Sequence, residues 1–84
     1  MNPRLRIEDI AAGDLAITRQ SIYKYTYGGL VVGEGQIIKI VKIKSKFARA
    51  QNFRYHIILI KDRNGKIWNV TWKQLRNKII IKDK

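Results

Sequence analysis

The amino-acid sequence predicts an all-β fold, because its apolar residues recur with the spacing of strands rather than that of helices. Residues 15–18, 55–60 and 66–72 are short runs that are either continuously apolar or alternate between apolar and polar residues. The chain has 84 residues, enough for one small domain. Leu, Ile, Val and Phe account for 26 of them, a share well above the ~20% below which highly charged chains stay disordered. We therefore expect a single folded domain over residues 1–84.

The N-terminal part of the chain predicts a short hook, a first strand and a long loop. Residues 3–10 fit a turn or a helical hook. Residues 15–18 form the first strand, and residues 19–33 form the long first loop. A turn at Gly28-Gly29 would make this loop a hairpin.

The second strand, predicted over residues 35–44, carries isoleucines at both odd and even positions. A regular strand would bury only one of these two sets. A bulge or a sharp bend supplied by Gly33 or Gly35 would let both halves of the strand contribute to the core. Residues 45–54 are polar and basic, and we expect them to be a connector.

Two further strands flank the turn sequence Asp62-Arg63-Asn64-Gly65, which allows two registers. A type I turn closed by a left-handed glycine pairs Asp62 with Lys66. The residues on its core face are then Ile58, Ile60, Trp68 and Val70. A two-residue turn at Asn64-Gly65 would instead join Leu59 with the tryptophan and the valine, which inverts the faces. We favour the first register because it gathers four large apolar side chains.

A helical turn and a short strand complete the predicted fold. Residues 72–77 form one helical turn with Leu75 pointing inward, and residues 79–81 form the last strand. We expect Trp68 in the core and Trp72 at the rim of the core.

The order of these elements resembles the SH3-like small β-barrel, in particular the nucleic-acid-associated barrels of the KOW and chromatin-protein type. Residues 13–17, G-D-L-A-I, are similar to the G-D-x-V-x-V start of many such barrels, and residues 35–43 to their G-x-V/I-x-x-I second strand. The resemblance covers residues 11–81. It implies a five-stranded SH3-like barrel with a long first loop and one helical turn before the last strand, with residues 1–10 as an N-terminal hook and 82–84 as a tail. Such barrels serve many functions, so function depends on the site residues.

The charge of the chain points to a polyanionic partner. There are 18 Lys and Arg against 6 Asp and Glu, a net charge of +12. Residues 1–35 are electrically balanced, and residues 36–84 carry the whole excess. Because such self-repulsion destabilises a compact chain, we expect nucleic acid as the ligand, and duplex DNA rather than RNA. Sequence specificity should be low, because lysines outnumber arginines 11 to 7.

The candidate phosphate-binding residues are cations of the second strand, of its exit and of the helical turn: Lys39, Lys42, Lys44, Lys46, Arg49, Arg54, Lys73, Arg76 and Lys78. Alternate residues of an extended strand are spaced by about 6.6 Å, close to the phosphate step along one nucleic-acid strand. Lys42, Lys44 and Lys46 have this spacing. Lysines at strand edges also prevent aggregation without any ligand, but nine cations exceed that need.

The aromatic residues allow two interpretations each. Tyr23, Tyr25 and Tyr27 share one parity in the long loop, and they either pack that loop onto the fold or stack on bases. Phe47 and Phe53 bracket the connector. We expect both to pack beneath it, and insertion into a minor groove is the alternative.

The sequence predicts no enzyme, no metal and no cofactor. There is no Cys and a single His, His56, which we expect to be a buried core residue. Glu8, Asp9 and Asp14 could hold a magnesium ion, yet Asp9 and Asp14 also suit turn positions. The glycine pairs do not open a helix after a strand, so we read them as turns.

Partners other than nucleic acid define the alternative functions. The main alternative is an adaptor or inhibitor of the kind that phages and mobile elements encode, bound to an acidic protein such as a polymerase or nuclease. An oligomeric enzyme with a shared pore site would need His56 or the tyrosines of several copies to converge at the symmetry axis.

We expect a monomer or a homodimer through residues 79–81, since three consecutive isoleucines cannot all face one core. Without a predicted signal peptide or membrane span, the expected location is the cytoplasm, at the nucleoid if DNA is bound.

Overall fold

A computed structural model describes residues 5–23 and 29–82, except for the side chain of Leu30. A 3-10 turn at Ile7–Asp9 precedes the first strand, in agreement with the predicted hook. The strands and the helix are β1 (Leu15–Thr18), β2 (Ile22–Tyr23), β3 (Leu30–Val32), β4 (Ile37–Ala48), β5 (Phe53–Lys61), β6 (Ile67–Thr71), α1 (Trp72–Leu75) and β7 (Ile79–Ile81). The predicted all-β class is confirmed, with one short helix.

Five of the strands form an antiparallel sheet in the order β6-β5-β4-β1-β7, and β2 and β3 pair separately as a small hairpin. The two edge strands of the sheet are β6 and β7, and within the described residues no ladder joins them into a closed barrel. One face of the sheet covers the core. We call the opposite face the outer face.

The core lies between the inner face of the sheet, the β2–β3 hairpin and α1. Its apolar members include Ile22, Ile38, Ile40, Ile58, Ile60 and Leu75, each at most 1% exposed. The helix begins at a capping box in which the Thr71 hydroxyl and the Gln74 side chain each accept from the other residue's backbone N–H. The predicted helical turn with Leu75 inward is confirmed. The two tryptophans are the reverse of the expectation, because Trp72 is buried in the core and Trp68 is half-buried against it.

A bulge at Val41 explains the two apolar parities of β4. The pairing passes from Ile40↔Ile60 to Lys42↔Leu59, so Val41 is the extra residue. Before the bulge, Ile40 at an even position pairs with Ile60. After the bulge, Ile43 at an odd position pairs with Ile58, so residues of both parities lie on the core side. The predicted bulge is confirmed, but neither Gly33 nor Gly35 supplies it.

The turn between β5 and β6 has the favoured register. Asp62 N donates to Lys66 O at 2.9 Å, and Gly65 N donates to Asp62 O at 3.0 Å. Gly65 has φ +86°, the left-handed conformation that this turn requires. Ile60 pairs with Trp68, so the core face is the predicted one.

Asp62 holds this turn together, and we expect its removal to change the pH dependence of stability. Its carboxylate accepts from Trp68 Nε1 at 3.0 Å and from the backbone N–H groups of Asn64 and Lys66. The Trp68 hydrogen bond, followed by these backbone bonds, lowers the pKa of Asp62. A lowered pKa in the folded state gives stability that is present above the unfolded pKa, and that stability is lost as the pH falls through the folded value.

Asp62→Asn should therefore be less stable than the wild type near pH 7, and the difference should shrink below about pH 4. Urea denaturation of both proteins between pH 3 and 7 measures this difference in the free energy of unfolding. A difference that stays constant over this range would show that ionisation of Asp62 contributes nothing.

The long first loop is a hairpin anchored by Thr18. The Thr18 hydroxyl donates to Gly33 O at 2.7 Å and accepts from Gln36 N at 2.9 Å. Ile22 of β2 and Val32 of β3 are buried, so both strands contribute to the core. The predicted hairpin is confirmed in these strands, while its turn at Gly28 lies outside the described residues.

The prediction that residues 45–54 form a connector is wrong. They are the end of β4, a four-residue turn and the start of β5. Asn52 has φ +55° in that turn, and its N–H donates to Arg49 O at 3.3 Å. Polar and aromatic residues occupy both faces of this hairpin, so it lacks the apolar stripe that marks a strand in a sequence.

Candidate nucleic-acid interface

The end of the β4–β5 hairpin is a two-stranded projection. Strand β1 pairs with β4 only at residues 37–39, and β6 pairs with β5 only at residues 57–61. Residues 45–48 and 53–56 therefore have no third strand beside them, and we call these residues with their turn the ribbon. At about 3.3 Å per residue, the ribbon extends by roughly 13 Å.

The bulge at Val41 places the lysines of β4 on one face. Lys39 precedes the bulge and faces outward, opposite Lys61 of β5. After the bulge, even positions face outward instead of odd ones, because Lys42 pairs with Leu59 and Ile43 with the core residue of β5. We call the outer-face cations Lys39, Lys42, Lys44, Lys46 and Lys61 the cationic face. Lys44 is half-buried and the other four are exposed.

The cationic face has no acidic residue in its own strands. Residues 36–61 contain seven Lys and Arg and no Asp or Glu. The acids that the structure describes lie in turns elsewhere: Glu8 and Asp9 in the 3-10 turn, Asp14 before β1, Glu34 before β4 and Asp62 after β5. Five cations thus share one face of the sheet in a segment without acids, an arrangement that suits a polyanion. Lys61 is not among the residues that the sequence pattern indicates, because its place beside Lys39 depends on the register.

The two predicted arginines of this region lie on the ribbon but not on one face. Arg49 is exposed in the turn, at the tip. Arg54 is exposed and pairs with Phe47, so it lies on the opposite side of the ribbon from Lys46. A ligand at the tip could contact both arginines, whereas a ligand on the outer face reaches only the cationic face.

The other predicted cations form a second group on the connection from β6 to β7. Lys73 lies on α1, which packs on the core side through Trp72 and Leu75. Arg76 and Lys78 are half-buried, and Lys78 Nζ lies 5.9 Å from the ring centroid of Tyr23. The predicted cations are therefore divided between the outer face with the ribbon and this second group.

The aromatic residues differ from expectation. Tyr23 is 47% exposed in β2, and Tyr25 and Tyr27 lie outside the described residues. Phe47 and Phe53 are 52% and 50% exposed. The prediction that both phenylalanines pack beneath a connector is wrong, because a projecting two-stranded ribbon has no layer beneath it.

Phe53 and Tyr55 form an aromatic pair on the outer face of the ribbon. Their ring centroids are 5.9 Å apart, with the ring planes tilted by 49°. Tyr55 pairs with Lys46 across the ribbon, so cations and rings share this face. Their i, i+2 spacing in the sequence is the signal that could have indicated the pair, once residues 53–56 are assigned to a strand.

The structure places the remaining chemical candidates in the ribbon and in turns. His56 is half-buried on the ribbon opposite Ser45, not buried in the core as expected. The carboxylates of Asp9 and Asp14 accept from the backbone N–H groups of Arg6 and Ala11, each at 2.8 Å, which confirms their turn positions. Over residues 5–23 and 29–82, no three metal-binding side chains come together.

An apolar row lies at the other end of the outer face. Ile17 of β1 pairs with Ile37 of β4 on one side and with Ile80 of β7 on the other. All three are exposed, Ile80 by 54%. A homodimer through β7 stays a prediction.

In the part of the chain that the structure describes, no helix is long and apolar enough to cross a membrane.

Comparison of the chain with protein-family models, with curated proteins and with solved structures found no match. The chemistry and the geometry of the outer face therefore carry the functional assignment.

Proposed function

We propose that this protein binds nucleic acid without catalysis, and that its ligand is duplex DNA recognised with little sequence specificity. The observation that carries the proposal is the cationic face. Four lysines of β4 and one of β5 share one side of the sheet, in a segment that has no acid. Lysine is a point charge that lacks the planar bidentate fork of arginine, so affinity should come mainly from phosphate contacts and counterion release.

The shape of the ribbon supports a duplex ligand. A two-stranded β-ribbon fits the major groove of B-DNA, which is about 12 Å wide. The lysines of the cationic face could then follow the phosphates beside the groove, and Arg49 at the tip could contact a further phosphate at the groove edge. Such a protein would work in the cytoplasm, at the nucleoid.

We propose an SH3-like arrangement for the fold. The strand order β6-β5-β4-β1-β7, the small β2–β3 hairpin after β1 and the single helical turn before β7 support it. A closed barrel would require further contact between β6 and β7.

Single substitutions of the cations test the function. Lys42→Ala, Lys44→Ala and Arg49→Ala should each weaken binding to unrelated duplexes to a similar degree, because each removes a phosphate contact. Each should also flatten the plot of log affinity against log salt by about 0.9. Mobility shifts at ~50 to ~200 mM salt measure both effects, with Arg63→Ala as a control that removes an exposed cation from the β5–β6 turn.

Two outcomes would reject the proposal. Equal losses in the three variants and in Arg63→Ala would show that only net charge matters. Failure of the wild type to shift any duplex or RNA would favour the alternative ligand, an acidic protein bound by an adaptor or inhibitor.

A further inference from the structure

We infer that Phe53 and Tyr55, flanked by Lys44 and Lys46, form a stacking platform for unpaired bases, so that the ligand of the ribbon includes a single-stranded segment. This inference rests on the proposed function, because it uses the same cationic face, and it adds unpaired bases to the duplex as a second ligand of that face. It concerns the outer face of the ribbon only.

The first support is the exposure of the two rings. Phe53 is 50% exposed and Tyr55 is 36% exposed, although large aromatic side chains gain most from burial. Each ring contacts the other at a tilt of 49° and a centroid distance of 5.9 Å. This contact holds the rings in place relative to each other, while a large part of their surface stays open to a ligand.

The second support is the charge beside the rings. Lys46 lies directly across the ribbon from Tyr55, and Lys44 lies across from Ile57, one step further along the same face. Base stacking on aromatic side chains beside a positively charged track is the general mode of single-strand binding. The spacing of about 6.6 Å between these lysines is close to the phosphate step of one strand.

The third support is the cost of the duplex alternative at this position. Bases in a duplex are already stacked, so an aromatic ring gains a base face only by unstacking a base step, which costs free energy. Unpaired bases offer their faces without that cost. An exposed aromatic pair on one face of the ribbon therefore suits a single strand better than the interior of a duplex.

The test compares two ligands and three variants. Wild-type protein is titrated into a fluorescein-labelled 15-nucleotide oligo-dT and into a labelled 15-base-pair duplex, and binding is followed by anisotropy. The variants are Phe53→Leu with Tyr55→Leu, the control Phe47→Leu on the opposite face of the ribbon, and Lys42→Ala with Lys46→Ala. Phe47 is as exposed as Phe53, but it pairs with Arg54 and therefore lies on the face of the ribbon opposite Phe53 and Tyr55.

We expect the double aromatic variant to weaken binding to oligo-dT by roughly 10-fold or more and to change duplex binding by less than about 3-fold. Phe47→Leu should change neither. The inference is overturned if the double aromatic variant changes neither ligand, or weakens both equally, as insertion of a wedge into the duplex would predict.

A measurement on the wild type keeps the inference testable if the double variant does not fold. The ring protons of Phe53 and Tyr55 should shift in NMR spectra when oligo-dT is added, and unshifted rings would overturn the inference. The lysine variant separates this inference from the proposed function. If it leaves both ligands unaffected, the proposed function fails; if it weakens both while the aromatic variant changes neither, only the stacking platform fails.

Discussion

Reversing two charges of the cationic face, Lys42→Glu together with Lys46→Glu, should abolish DNA binding at physiological salt while the protein stays folded. Both side chains are exposed on the outer face, so neither substitution disturbs the core. Each lost phosphate contact removes about 0.9 from the log–log salt slope, or nearly a tenfold loss of affinity at ~0.1 M salt. The two new carboxylates add repulsion, so we expect a loss of roughly 100-fold or more in anisotropy titrations with a labelled duplex.

The matched control is Arg19→Glu together with Arg63→Glu, which changes the net charge by the same amount. Both arginines are exposed and lie outside the cationic face, before β2 and in the β5–β6 turn. We expect a loss several times smaller than that of the lysine pair. Equal losses in the two double variants would mean that the total charge of the chain, and not the face assembled by β4, determines binding.

Ile58→Ala should have the largest effect on folding. Ile58 is 0% exposed, and it pairs with Ile43 on one side and Val70 on the other. Removing a fully buried isoleucine side chain leaves a cavity and costs about 2–5 kcal/mol. Since small domains have a stability of only about 5–15 kcal/mol, urea denaturation should show a strongly reduced midpoint with an unchanged slope.

The control for this prediction is the same substitution at Ile80. Ile80 also lies in the main sheet, but it is 54% exposed on the outer face. Ile80→Ala should change stability by about 0.5 kcal/mol or less. Similar losses at the two positions would contradict the assignment of the inner and outer faces.

The parts of the fold that follow from local chemistry could be predicted from the sequence. The turn from Asp62 to Gly65 allows two registers, and the observed one is the type I turn with a left-handed glycine, which also gathers four large apolar side chains on one face. The helical turn begins at a threonine cap that is local as well. In β4, isoleucines at both parities indicate a bulge, although its position at Val41 depends on pairing with β5.

The ribbon and the composition of the site could not be predicted in this way. An exposed two-stranded hairpin has no buried face, so residues 45–54 lack the apolar alternation that indicates strands. Lys61 joins Lys39 only through the β4–β5 register, and Phe53 meets Tyr55 only once their strand is known. Charge alone groups Lys73 with the predicted site, because the inward Leu75 could be predicted but the side of the sheet on which α1 packs could not.

The salt dependence of wild-type binding tests the central claim most directly. If the four lysines of β4 contact phosphates, affinity for an unrelated duplex should fall by roughly 100-fold or more between ~50 and ~200 mM salt, a slope of about −3.6 or steeper. A slope near zero, with binding retained at high salt, would contradict the claim that this face of the sheet holds the phosphate backbone.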